Sequence, residues 1–190
     1  ELYRREPSAE VACITYTNVA VNEIRSRFPF LGLHVSTIHE FLWSLIKRYQ
    51  KDIRVTLAEL INAKTITSSL SLPIKDTIWD GQIQYKEWSN YEVGEISHDD
   101  VLKISLHMFQ RYEKLSRILI DSYDYVFIDE YQDTPPQVLN ILLNVLPDSK
   151  NRSMRIGLFG DSEQAIYEGS KGKEFIDESV KAGRLKPIIK

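Results

Sequence analysis

The chain has 190 residues, 43% of them hydrophobic, which suffices for one domain of ordinary size with its own core and excludes a disordered tail. A formal net charge of -3 excludes a histone-like basic protein but leaves a local nucleic-acid groove open, because the distribution of charge matters more than its sum. The single cysteine, Cys13, excludes an internal disulfide or a cysteine-built metal site. A reducing, cytoplasmic setting is therefore expected. No apolar run reaches the roughly 20 residues that span a bilayer. No signal peptide is visible, and no membrane partner is expected. The chain opens on Glu1 rather than methionine, which suggests a piece of a longer protein.

Four continuous apolar runs read as buried parallel strands: Val11 to Tyr16, His34 to Thr37, Tyr125 to Ile128 and Ile156 to Phe159. A helix follows the first, with Val21, Ile24 and Phe28 on one face and Pro29 as its stop. A second helix follows the second run, with Ile38, Phe41, Leu42, Leu45, Ile46 and Tyr49 as its apolar stripe. Thr37 and Glu40 form a capping-box pattern at its start. The segment from Lys51 to Ile96 is polar and shows no strong period. One helix is then predicted from Asp99 to Leu119. Together, residues 51–122 read as a mostly helical insertion between the second and third strands. After the third strand, Thr134 is the expected N-cap and Pro135 the first helical residue, ahead of a stripe at Val138, Leu139, Leu142, Leu143 and Leu146. Strand-helix alternation of this kind predicts an α/β fold with a parallel sheet flanked by helices.

The sharpest chemical signal spans the third strand and the polar string after it, Val126-Phe127-Ile128-Asp129-Glu130-Tyr131-Gln132-Asp133-Thr134. An apolar strand ending in Asp-Glu sets two carboxylates at the carboxyl edge of a sheet, where α/β proteins bind ligands. Phosphoryl transfer uses such a pair, one carboxylate to hold Mg²⁺ and the next to orient and deprotonate water. A strand that merely ends in two solvated acids is the plain alternative; the length of the string argues against it.

The string Asp129 to Thr134 resembles the Walker B motif of the UvrD/PcrA/Rep helicases. Three more segments match that family in order. Thr15-Tyr16-Thr17-Asn18-Val19-Ala20 resembles motif Ia, Ser36-Thr37-Ile38-His39-Glu40-Phe41 resembles motif Ib, and Gly160-Asp161-Ser162-Glu163-Gln164-Ala165-Ile166-Tyr167 resembles motif III. The motif III variant is also similar to that of helicases encoded beside OLD-family nucleases in bacterial defence systems. The resemblance implies a RecA-like, P-loop NTPase motor domain, incomplete here, formed by residues 1–50 and 123–190, with 51–122 inserted. It implies an ATP-dependent DNA helicase that translocates on single-stranded DNA and opens duplexes, with single/double-strand junctions and a nuclease as further partners.

The resemblance also assigns roles. Glu130 is implied as general base, Asp129 as Mg²⁺ ligand, and Asp129, Gln132 and Gln164 as nucleotide contacts. Gln164 would sense the γ-phosphate and share in catalysis. Thr15, Tyr16, Thr17, Asn18, Thr37, His39 and Tyr167 are implied as DNA contacts. Tyr167 would stack on a base, although a core tyrosine remains an open reading. Thr17 equally suits plain helix capping, and His39 a structural role. Loss of the γ-phosphate would move Gln164, and with it Tyr167 three residues on, which is a route from fuel to strand.

The pattern departs in three places. No Gly-x-x-x-x-Gly-Lys-Ser/Thr loop occurs, and Gly169-Ser170-Lys171-Gly172-Lys173 fails as one because Glu174 replaces Ser/Thr. The chain alone is therefore expected to lack ATPase activity. Val19 stands where the family commonly has lysine, and Gly169 and Ser170 where Trp or Phe and then Arg often come next. A helicase-like module that only grips DNA or a nuclease is the alternative function. A dinucleotide-binding oxidoreductase needs a Gly-x-Gly-x-x-Gly turn, which is absent.

Overall fold

The computed structural model describes residues 2–146, 154–161, 176, 178–181, 185 and 186. In chain order the elements are α1 (Leu2–Arg5), β1 (Val11–Thr15), α2 (Asn18–Arg27), β2 (Leu33–Thr37), α3 (Ile38–Ile46) and α4 (Gln50–Asn62). They continue with β3 (Gln84–Tyr85), β4 (Glu95–Ile96), α5 (His98–Arg111), α6 (Glu113–Ser122), β5 (Tyr125–Ile128), α7 (Pro136–Asn140) and β6 (Arg155–Leu158). The chain divides into two compact units, residues 1–38 with 116–190, and residues 39–115.

The first unit is built on a four-stranded sheet in the order β2-β1-β5-β6, with every pairing parallel. The expected class, a parallel α/β sheet flanked by helices, is what forms. The strands are continuous apolar runs because the sheet is buried: Val11, Ala12, Ile14, Val126 and Ile128 are all inaccessible. Each buried Val or Ile among them contributes roughly 1.5–3 kcal/mol. Helix α2 lies against β1 and β2. From it Arg25 donates to the Val35 carbonyl at 2.5 Å, engaging an acceptor on an edge strand.

Register decides what sits on the carboxyl rim. Thr15 lies opposite Thr37, Ile14 opposite Ile128, and Ile128 opposite Leu158. The ladder then runs one step further, with Asp129 N–H donating to Ile14 O at 2.9 Å and Phe159 N–H to Ile128 O at 2.8 Å. Thr15, Thr37, Asp129 and Phe159 therefore lie level with one another at the ends of neighbouring strands, on one rim.

In the second unit, helices α4 and α5 pack together; Ile53, Leu57, Leu60 and Ile61 are buried on one and Val101, Ile104, Met108 and Phe109 on the other. Between them the chain is largely irregular, with a single 3₁₀ turn at Asp76–Ile78 and the paired dipeptides β3 and β4. Side chains fix this stretch where backbone ladders do not. Asn62 donates to Ile74 O at 2.8 Å and accepts from Ile74 N at 2.9 Å. Gln50 accepts from Ile83 N at 2.8 Å, and Trp79 Nε1 donates to Tyr91 O at 2.6 Å.

Four local readings change. Helix α4 falls where the sequence showed no strong period, although Ile53, Leu57, Leu60 and Ile61 do keep helical spacing and are buried. The single helix expected from Asp99 is two, broken at Tyr112, whose φ of -118° and ψ of 91° leave the helical region. Helix α7 starts one residue later than expected: Pro135 is its N-cap and Pro136 takes the first position, while Thr134 closes the preceding turn. Its last turn, Ile141–Val145, widens into a π-helical turn.

Candidate active site

The acidic pair leaves β5 through a sharp turn. Asp129 still bonds into the sheet, but Glu130 adopts φ 53° and ψ 52°, the left-handed region that a side chain with Cβ rarely takes. That conformation costs about 1–3 kcal/mol and persists only where the surroundings enforce it. Here they do. Tyr131 N–H donates to Phe159 O at 3.0 Å, tying the turn to the end of β6, and Asp133 N–H donates back to Glu130 O at 3.0 Å. Glu130 is exposed and Asp129 half-buried, so the two carboxylates leave the same strand end into different surroundings.

Gln132 lies beneath Glu130. It is 2% exposed, and its Nε2 donates to Glu130 Oε2 at 2.5 Å. Its Oε1 has no partner among the described residues. Across from it stands Gly160, φ 153°, where an added Cβ would come within 2.1 Å of Gln132 Oε1. Cys13 of β1 feels the same site: burial first and the Asp129 carboxylate second push its thiol up to about 11. It stays protonated at neutral pH and is no thiolate ligand.

The motif Ia residues divide by exposure. Thr15 is 1% exposed, while Tyr16 is 54% exposed and Thr17, Asn18 and Val19 also face solvent. Thr17 is the N-cap of α2, its Oγ1 accepting from Ala20 N at 3.2 Å. Thr37, at the end of β2, is 8% exposed. Thr15 and Thr37 are thus buried residues, and Tyr16, Thr17 and Asn18 are the ones this edge exposes.

His39, in the second unit, is half-buried against His98, ring centroids 4.6 Å apart. Burial and the neighbouring imidazole lower its pKa from 6.5 to about 4, with Asp99 opposing them. At neutral pH it is an uncharged ring that can stack or exchange one hydrogen bond, not a cation for phosphate. Gln164, Tyr167, Gly169 and Ser170 lie outside the described residues.

The link between Gln132 and Glu130 was not visible in the sequence. Residues two apart do not face each other on a helix, and only the left-handed turn brings them together. Cys13 beside Asp129 results from the β1-β5 register, Cys13 opposite Phe127, which no local pattern announces.

Among the described residues, no cluster of three metal-ligating side chains occurs, and no helix is long and apolar enough to cross a membrane. The donor set still fits Mg²⁺ with a nucleotide. That ion keeps most of its waters and takes one or two carboxylates, the rest coming from phosphate oxygens. Asp129 at the strand end is the residue that could offer such an oxygen.

Comparison with known proteins agrees with this geometry. Residues 82–174 match the model of the UvrD/REP helicase N-terminal domain. The chain is 26% identical to the Gabija protein GajB of Bacillus cereus (strain HuB5-5), an alignment covering 90% of this chain and 38% of that protein. It is 36% and 39% identical to the RecBCD enzyme subunit RecB of two Buchnera aphidicola strains, from Schizaphis graminum (strain Sg) and Acyrthosiphon pisum (strain APS). Each of those alignments covers 38% of this chain and 6% of that subunit. The chain thus spans well under half of each relative. Residues 82–174, which include Asp129 and Glu130, are thus similar to the UvrD/REP helicase N-terminal domain.

Proposed function

We propose that the intact protein is an ATP-driven DNA helicase and that this chain supplies the acidic half of its hydrolytic site. The observation that carries the reading is the Asp129-Glu130 pair, set on the carboxyl rim of a parallel sheet with Glu130 held in a left-handed turn. Asp129 holds Mg²⁺, directly or through its waters. When bound, the ion neutralises charge on the phosphates during transfer. Glu130 orients the attacking water and takes its proton, and its exposure leaves that oxygen reachable. Gln164 is proposed to donate its neutral amide to the γ-phosphate.

The strand-gripping residues are proposed to be Tyr16, Thr17 and Asn18 at the start of α2, with Tyr167 stacking on a base. A helix N-terminus presents amides to phosphate without a lysine. That matters here, since Val19 occupies the usual lysine position. Base stacking on an exposed ring contributes roughly 1–3 kcal/mol and tolerates any sequence. His39 is proposed as an uncharged contact. The partners are single-stranded DNA, its junctions with duplex, and a nuclease. A relative that is by name a subunit of a multi-subunit enzyme supports the idea of an assembly. ATP binding also needs a phosphate-binding loop, which these 190 residues lack, so this chain by itself is proposed to be inactive.

The test is DNA-stimulated ATP hydrolysis by the intact protein. Glu130→Gln should lower kcat by about 100-fold or more while nucleotide and DNA still bind. Undiminished turnover would sink the hydrolytic reading and leave a DNA- or nuclease-binding module.

A further inference from the structure

We propose that Gln132 is a positioning residue, a buried amide that fixes the Glu130 carboxylate, and that position 160 must be glycine to leave room for it. The proposal rests on the reading of Glu130 as the base. A buried side-chain polar atom ordinarily has a hydrogen-bond partner, most often backbone or water. Gln132 commits its nitrogen to a single side-chain atom, Glu130 Oε2 at 2.5 Å, and leaves its oxygen without a partner among the described residues. The carboxylate dictates that orientation, because a reversed amide would set oxygen against oxygen.

Three features converge on the same pair. The left-handed turn at Glu130 brings residues 130 and 132 within reach of each other. The bond from Tyr131 N–H to Phe159 O anchors the turn between them to β6. Gly160, next along from Phe159, lies against the amide from the far side, where a methyl group would come within 2.1 Å of Gln132 Oε1 and 3.1 Å of the Tyr131 backbone nitrogen. One carboxylate oxygen of Glu130 is thereby engaged, and Oε1 remains to accept a proton. A base whose rotation is restrained loses less on reaching the reactive geometry. The residue after β6 also becomes part of the site, since any shift of Phe159-Gly160 is felt by Gln132 and through it by Glu130.

The test uses the intact protein, ¹⁵N-labelled, with side-chain amide spectra and kinetics side by side. One Gln132 Nε2 proton should resonate downfield of a free glutamine amide, exchange slowly with water, and return to the free position in Glu130→Ala. Gln132→Met, similar in length and apolar, should lower kcat by about 10- to 100-fold with unchanged KM for ATP and unchanged affinity for a non-hydrolysable analogue. Gly160→Ala should do the same from the opposite side. An amide proton that ignores Glu130→Ala overturns the proposal. So does a Gln132→Met protein whose KM rises while kcat holds, which would put the amide on the nucleotide. Full turnover by Glu130→Gln would instead remove the parent reading, and this one with it, while the amide signature stayed in place.

Discussion

His39 shows how a single environment changes what a residue can contribute. Histidine at a helix start invites a phosphate contact, but burial and His98 hold this ring neutral through the physiological range. The same shift has a consequence for stability. Unfolded, the ring takes a proton near pH 6.5; folded, it resists until about pH 4. Between those values the unfolded chain binds more protons, so stability is complete above pH 6.5 and is lost as pH falls toward 4. Denaturant unfolding at pH 7 and at pH 4.5 checks this: His39→Gln should lose less stability over that interval than the parent. Equal losses would mean that other groups carry the acid sensitivity. His98 and Asp99 stand on the same first turn of α5 and remain in the variant.

Among the elements, α5 shows how a buried charge is accommodated. Asp100 is 3% exposed and accepts from Ser97 N at 2.9 Å, Ser97 Oγ at 2.9 Å, Ser89 Oγ at 2.6 Å and Tyr91 OH at 3.1 Å. It closes a capping box and clasps the irregular stretch that precedes the helix. Asp100→Ala should cost about 2–4 kcal/mol in urea unfolding, because these donors lose their acceptor and one of them is a helix cap. Asp100→Asn, which keeps the shape and most of the bonds, should cost clearly less. A loss below about 0.5 kcal/mol for the alanine variant would show the clasp to be incidental. This element also marks the limit of periodicity. Its apolar stripe was plain, yet the break at Tyr112 was not, since neither glycine nor proline stands there and the sequence runs on Arg-Tyr-Glu-Lys. Helix α4 was missed for the opposite reason. Its period is present, but Lys51, Asp52, Arg54 and Glu59 dilute the average over any window.

Across the whole molecule, what sequence disclosed well was the sheet. Buried parallel strands are unbroken apolar runs ending in small polar or acidic residues, and all four were legible to within a residue or two. Their order was not, because non-local pairing leaves no local mark; yet the order puts β1 and β5 side by side and Cys13 near Asp129. The place of Asp129 and Glu130 at the end of an apolar strand was legible, whereas the support around them was not. The left-handed turn, the Gln132 amide beneath it and the glycine beyond depend on tertiary closure. Burial of Thr15 and Thr37 likewise came from their place at the ends of packed strands, which a motif resemblance does not weigh. The compact units divide at residues 38/39 and 115/116, and the boundaries expected from the sequence were 50/51 and 122/123.

Hydrolysis of ATP at the acidic rim is the proposal on which the others rest. A crystal structure of the intact protein with Mg²⁺ and a non-hydrolysable ATP analogue tests it directly. The expected result is the ion on Asp129 or on its waters, the Glu130 carboxylate and the Gln164 amide both facing the γ-phosphate, and Gln132 still donating to Glu130. A nucleotide seated elsewhere, with Glu130 and Gln164 too far apart to share one phosphate, would contradict it.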